Sequence, residues 1–339
     1  MTDQQQDEVS PDHFIDCLLG YMKTSALKAA LELDLFSTIP GTDGSAEAIA
    51  GRVGAAPRGI RILCDFLVVH RFLAKDADRY RLLPSTAAFL TRSSPAWMGS
   101  IADFMAAPEF FRLWLDDPVA YVRRGGSVGL ANTAPDNPLW VTFASAMAPF
   151  MREPAEALAA EVGGWSPPVR RAVDISAGHG LYGIAVGKAV PGAEIIAVDW
   201  APVLAVAQAN AEAAGIGDRY RLRPGSAFDV DWGSDVDLVM LPSFLHHFDR
   251  DGCVALLGKA RRSLAKGGRV VVVEFVVNED RVSPPWPGAF AYVMLGSTPG
   301  GDAYTRRDLE EMGRAAGFAR ASFQPLHPTP HTFVTYEQA

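Results

Sequence analysis

Between Arg171 and Gly183 the chain reads Arg-Ala-Val-Asp-Ile-Ser-Ala-Gly-His-Gly-Leu-Tyr-Gly. A short apolar run reaches Asp174, a glycine-bearing turn follows, and the helical pattern Leu181–Val190 begins at once. Gly178, Gly180 and Gly183 fit the spacing G-x-G-x-x-G. A strand that enters a helix through such a turn is the opening unit of a nucleotide-binding α/β sheet, because small residues let a ligand approach the backbone. This unit constrains the rest: its strand must be flanked by further parallel strands, and its helix must cover one face of them.

The following pattern agrees. Strands are expected at 172–176, 194–199, 220–224, 236–241 and 269–276, with helices at 181–190, 202–214 and 250–265 between them. Strand and helix in alternation make a parallel sheet with right-handed crossovers. An insert over 278–304, a helix over 305–316 and two close strand-like runs, 321–326 and 332–336, come next. Strands that follow each other so closely pair antiparallel, so the sheet ends in a hairpin. The two prolines of Trp165-Ser-Pro-Pro168 cannot continue a helix and mark a boundary. Upstream of it, a helix over 12–39, a short one over 46–53, a longer one over 58–70 and two short strands within 72–83 describe a winged helix. Aromatic-rich helical segments with loops at Gly125-Gly126 and 132–138 fill 95–165. The expected organisation is a winged-helix domain over 1–100, a helical linker and pocket region over 101–168, and the α/β domain over 169–339.

Composition narrows the partners. The formal charge of −8 over 339 residues leaves no basic stripe for nucleic acid phosphates. The third helix of the winged helix, Ile60-Arg-Ile-Leu-Cys-Asp-Phe-Leu-Val-Val69, is apolar almost all round. That suits burial in a core or a subunit interface rather than a DNA groove. Cys17, Cys64 and Cys253 are far apart, which excludes a disulfide framework and a C-x-x-C metal site and fits a reducing cytosol. The polar, acidic N-terminus is not a signal peptide, and no apolar run reaches the roughly 18 residues of a membrane span. A cytoplasmic protein with no metal, membrane or nucleic-acid partner is expected.

Asp199 closes the second strand, Ile195-Ile-Ala-Val-Asp199, where an acid can hold ribose hydroxyls. The glycines and Asp199 suit a nicotinamide or flavin dinucleotide and S-adenosylmethionine equally. Asp174 separates them, against the plainer reading that it only caps the next turn. A carboxylate at the end of the first strand repels a pyrophosphate but attracts a cationic amine and a sulfonium. The terminal hairpin also favours S-adenosylmethionine.

With these residues in place, the chain resembles the class I S-adenosylmethionine-dependent methyltransferases. Val173-Asp-Ile-Ser-Ala-Gly-His-Gly180 is similar to their first motif, Ala197-Val-Asp-Trp-Ala-Pro-Val203 to their second-strand motif, and Gly225-Ser-Ala-Phe228 to the segment that packs on the adenine. Together with the winged helix this resembles the plant and bacterial small-molecule O-methyltransferases that include caffeate and hydroxyindole enzymes. The resemblance implies a Rossmann-like methyltransferase sheet with an N-terminal, mostly helical winged-helix dimerisation domain, and hence a homodimer. It also implies that Gly178 and Gly180 line the methionine and ribose, Asp199 binds the ribose, and Ser226, Ala227 and Phe228 meet the adenine. Ser226 stands where the family has an acid, and Ser176-Ala177 where it often has glycines.

The chemistry is expected in Val239-Met-Leu-Pro-Ser-Phe-Leu-His-His-Phe-Asp249, after the fourth strand. A neutral imidazole is well matched to take a phenol's proton as its oxygen attacks a methyl group. By the resemblance His246 is that base and His247 its neighbour in the substrate site. Glu274 orients the ring, and Asp302 stands one residue from the column of a second carboxylate, which falls on Ala303. Phe143 and Met147 resemble a segment that sandwiches a flat substrate, and Phe290 and Met294 complete the pocket. His327 and His331 read as loop residues. The expected function is O-methylation of a small, aromatic hydroxylated metabolite. C-methylation or a non-methylating reaction on the same fold, and a DNA-binding regulator, are the alternatives.

Overall fold

The computed structural model describes residues 10–127 and 138–338, with the backbone alone at Pro138. The acidic N-terminal tail and the loop expected from residue 132 up to the start of the next helix lie outside the described residues. The chain forms two compact units, 1–107 and 108–339.

In the first unit the helix expected over 12–39 is broken into Asp12–Leu18, Gly20–Glu32 and Leu35–Thr38. Leu19 leaves helical geometry, and Asp34 takes a left-handed φ of 50°, which turns the chain. Ser45 caps Ala46–Val53 by accepting from the Ala48 N–H, and Pro57 opens Pro57–Val69 with its pre-set φ. Strands β1 (Leu73–Asp76) and β2 (Arg79–Leu82) form the antiparallel wing. The helix Pro57–Val69 was expected to be buried on most sides. Within one chain it buries only the stripe Ile60, Cys64 and Leu67, leaving Ile62 and Val69 exposed.

The second unit holds a seven-stranded sheet. Its strands are β3 (Arg171–Ile175), β4 (Glu194–Asp199), β5 (Tyr220–Pro224), β6 (Val236–Pro242), β7 (Leu264–Glu274), β8 (Arg320–Pro325) and β9 (Thr332–Glu337). The order is β5-β4-β3-β6-β7-β9-β8, with the first five parallel and β9 antiparallel to both β7 and β8. The expected terminal hairpin is present. The insert over 278–304 contains a helix, Pro285–Ser297, that its composition did not announce.

Both faces of the sheet are covered, so most of its parallel strands are almost continuously apolar. Their side chains still sort by period two. Ala172, Ile195, Leu238 and Val271 pack in one core with the helices Ala148–Gly163, Leu181–Ala189 and Ala201–Ala213. Val173, Ile196, Val239 and Val272 pack in the other, with Arg250–Ser263 and Arg306–Ala315. The third glycine of the turn explains how closely its helix approaches. A Cβ on Gly183 would lie 2.7 Å from Ile195 Cγ2 and 3.0 Å from Asp174 Oδ2.

Gly183→Ala is therefore expected to lower stability in urea denaturation by about 1–3 kcal/mol through overpacking. Gly192→Ala is the control, since nothing lies within 4 Å of a Cβ there. Equal effects of the two would refute the packing role.

Candidate active site

Strand order reverses between β3 and β6, and a ligand fits the crevice outside their carboxyl ends. A cavity of about 740 Å³ opens there. Its first wall is the turn after β3, which includes Ser176, Gly178 and His179. Gly178 has φ +56°, and a Cβ there would meet no protein atom nearer than 3.8 Å, so the space in front of it belongs to a ligand. Gly180, behind it, has φ +77°, and a Cβ would lie 2.8 Å from the Tyr220 hydroxyl. Ser176 adopts φ +56° without being glycine.

Asp199 forms the second wall. Its Oδ2 accepts from the Gly178 N–H at 2.9 Å and its Oδ1 from the Trp200 N–H at 2.7 Å. Burial raises its carboxyl to about 6, against the downward pull of those two N–H groups. Each oxygen keeps a further lone pair for a ligand hydroxyl. His179 also lines the cavity. Burial lowers its imidazole to about 4, and its Nδ1 accepts from the Leu181 N–H at 3.1 Å.

The third wall is the loop Gly225, Ser226, Ala227, Phe228 and Asp229. Sequence reasoning missed what holds it. Lys259, on the helix Arg250–Ser263, donates to the carbonyls of Ala227, Phe228 and Val230 at 2.9, 2.7 and 2.6 Å. Trp232 Nε1 adds a bond to the Ala227 carbonyl at 3.1 Å. A lysine near the Arg-rich end of an amphipathic helix reads as a solvated residue, so no local signal marks it. Trp140, Trp200, Phe244 and Phe248 also line the cavity and were not singled out. An acid at the ribose position, a glycine turn with open space before it and aromatic faces at the third wall fit an adenosyl group.

Asp174 differs from expectation. It is fully buried and does not line the cavity. Period two puts it on the same sheet face as Ala172, beneath the helix Leu181–Ala189, where Oδ2 accepts from the Gly183 N–H at 2.9 Å. It satisfies a helix N-terminus rather than meeting a cationic ligand directly. Its Oδ1 has no hydrogen-bond partner among the described residues, and burial raises the carboxyl to about 7.

The histidine pair follows β6 in the short turn Leu245–His247. His246 Nδ1 lies 2.7 Å from Glu274 Oε2, and the His246 N–H donates to Oε1 at 3.2 Å. Both residues are buried, at 5% and 3% exposure. His247 lines the cavity with Trp140, their ring centroids 5.9 Å apart. Burial, with His246 beside it, lowers the His247 imidazole well below its ordinary value. The His246 ring meets Phe290 edge-on at 4.9 Å, and Phe290 shares a buried cluster with Met294, Phe275 and Ala303. Phe290 and Met294, four apart on the helix Pro285–Ser297, present one face. Phe143 lines the cavity, whereas Met147 is buried at a helix junction and does not.

Asp302 is not brought to the histidine ring. Its N–H donates to the His246 carbonyl at 3.1 Å, but its carboxylate turns to Arg281 at 3.1 Å. Ala303 takes the inward position, packed with Phe275, Phe290 and Met294. His331, read as a loop residue, is buried against Phe275 at 4.7 Å.

Residues 155–319 match the O-methyltransferase domain family and residues 15–92 the O-methyltransferase dimerisation domain family. The 3-amino-4-hydroxybenzoate 4-O-methyltransferase of Streptomyces cremeus is 30% identical over 288 residues, covering 80% of this chain and 76% of its own. The 3-hydroxy-5-methyl-1-naphthoate 3-O-methyltransferase of Streptomyces sahachiroi is 27% identical, covering 91% and 89%. A solved structure from Nostoc punctiforme, provisionally named an O-methyltransferase, superposes with a TM-score of 0.93 at 41% identity, covering 98% of this chain and all of that one.

Two outcomes follow from the geometry. Lys259→Met should weaken S-adenosylhomocysteine binding about tenfold by calorimetry, with Lys259→Arg partly restoring it, because charge-assisted bonds to the loop are lost. Unchanged affinity would show that the loop holds itself. Between its ordinary value of 3.8 and about 7, folded Asp174 keeps a proton that the unfolded chain has released, so rising pH favours unfolding across that window. Asp174→Asn cannot titrate, and its ligand-free melting temperature should fall less than wild type's between about pH 5 and 7.5. Parallel pH curves would contradict this.

Proposed function

The chain belongs to the O-methyltransferase family, and from that premise we propose that it methylates a hydroxyl of a small aromatic metabolite with His246 as general base. The methyl donor is S-adenosylmethionine, whose sulfonium supplies an electrophilic methyl group. Gly178 gives it room, Asp199 accepts from its ribose, and Ser226, Ala227 and Phe228 frame the adenine. Asp174 acts from beneath, by fixing the first turn of the helix that follows the glycine turn.

The 2.7 Å contact between His246 Nδ1 and Glu274 carries the reading. An ionised carboxylate only accepts, so Nδ1 holds the ring proton and Nε2 keeps its lone pair. Nε2 takes the acceptor's proton as its oxygen attacks, and the imidazolium that forms faces the Glu274 charge. Positioning supplies most of what remains, because in-line displacement needs aligned reactants. His247, neutral at the cavity wall, contributes shape rather than charge.

The two curated relatives are named for hydroxylated aromatic acids. Phe143 and Trp140 line the cavity and offer flat, apolar surfaces to such a ring, and Phe290 and Met294 would back them from the buried cluster beside His246. Pairing of two copies through the dimerisation domain would cover apolar side chains that one chain exposes, among them Phe14, Leu18 and Tyr21.

Labelled S-adenosylmethionine with a panel of phenols tests this. His246→Ala should lower transfer about 10²- to 10⁴-fold, the range of general base catalysis, with S-adenosylhomocysteine affinity kept. Glu274→Gln should lower it less. Label found on carbon, or turnover without transfer, would sink the proposal.

A further inference from the structure

The segment Leu326-His-Pro-Thr-Pro-His331 joins β8 to β9. Because β9 runs antiparallel beside β7, with Thr332 opposite Glu274, the reversal delivers His331 to the edge that carries His246. The side chain is 1% exposed. It packs against Phe275 at 4.7 Å and Phe150 at 5.3 Å between ring centroids. Phe275 in turn packs on Phe290 at 4.4 Å, the ring that meets His246 edge-on. His331 therefore belongs to the aromatic cluster beside the general base.

Neither ring nitrogen of His331 has a hydrogen-bond partner among the described residues. Buried polar groups are nearly always satisfied, and one that is not calls for an explanation. Packing does not supply it, since a phenylalanine or leucine would fill the same space without two orphaned nitrogens. Pairing with Glu274 does not supply it either, because no hydrogen bond joins the two side chains. The missing partner is then a group outside the described residues, the place that a bound molecule would take.

Resting on the methyltransferase reading above, we infer that His331 determines acceptor specificity by hydrogen-bonding a second polar substituent, a hydroxyl or carbonyl oxygen, on the aromatic ring system whose hydroxyl His246 deprotonates. Burial lowers the imidazole to about 4, partly countered by Glu274, so it is neutral at working pH. A neutral ring offers one donor and one acceptor, which match a hydroxyl or carbonyl. Loss of such a partner discriminates strongly, because the buried group is left unpaired when the wrong substrate binds.

The test compares matched acceptors, a catechol against a phenol and a dihydroxynaphthalene against a naphthol, with wild type, His331→Leu and His331→Gln. His331→Leu should lower kcat/KM for the two-group acceptor by about tenfold or more and leave the single-group acceptor within about threefold. His331→Gln, which keeps a donor and an acceptor, should recover part of the preference. Calorimetric binding of the same pairs to the S-adenosylhomocysteine complex should reproduce the ratio without turnover. Equal losses for both acceptors would assign His331 a merely structural role, and no change for either would remove it from the site. Wild type that binds the pairs selectively but transfers no methyl group would overturn the methyltransferase reading and keep the recognition role.

Discussion

The site hangs on one buried carboxylate. Glu274 ends β7 with 3% exposure, accepts from the backbone N–H groups of His246 and Phe275, and holds Oε2 2.7 Å from the His246 ring nitrogen Nδ1. A charge so far from water is tolerable only when its oxygens are engaged. That requirement fixes the turn after β6 to the end of β7 and gives the imidazole one orientation. Gly301 completes the clamp from the other side, since a Cβ there would fall 2.1 Å from the His246 carbonyl.

Much of the fold was legible because its grammar is periodic. Strand and helix alternate from Arg171, and the observed elements keep to the expected bounds within a few residues except where β7 starts early, at Leu264, and where the insert forms the unexpected helix Pro285–Ser297. The terminal hairpin followed from the short spacing of its strands. The break of the first helix was less visible, because Leu19 and Asp34 are residues that helices ordinarily accommodate.

The site was legible where a motif fixes a backbone and illegible where a side chain's direction decides. Asp174 illustrates this: its place at the end of β3 was plain, but the face it takes depends on strand parity and on the helix above it. Asp302 and Ala303 differ by one residue and point apart, so a motif column cannot say which one faces His246. Lys259 and His331 act across long sequence separations, bonding a loop that lies some thirty residues earlier or joining a ring cluster built from three other segments. Nothing local distinguishes them from a solvated lysine and a loop histidine.

The reversal of β9 has a consequence for how such a chain diversifies. Most of the cavity's walls are drawn from the ends of β3 and β4 and the loop after β5, whereas the hairpin reaches the His246 side of the same sheet edge from the opposite direction. Had β9 run parallel to β7, the residues before it would have emerged at the far end of the sheet. The antiparallel strand instead makes the β8–β9 connection a separate module of recognition. A change in its side chains would leave the strands that carry the cavity's other walls untouched.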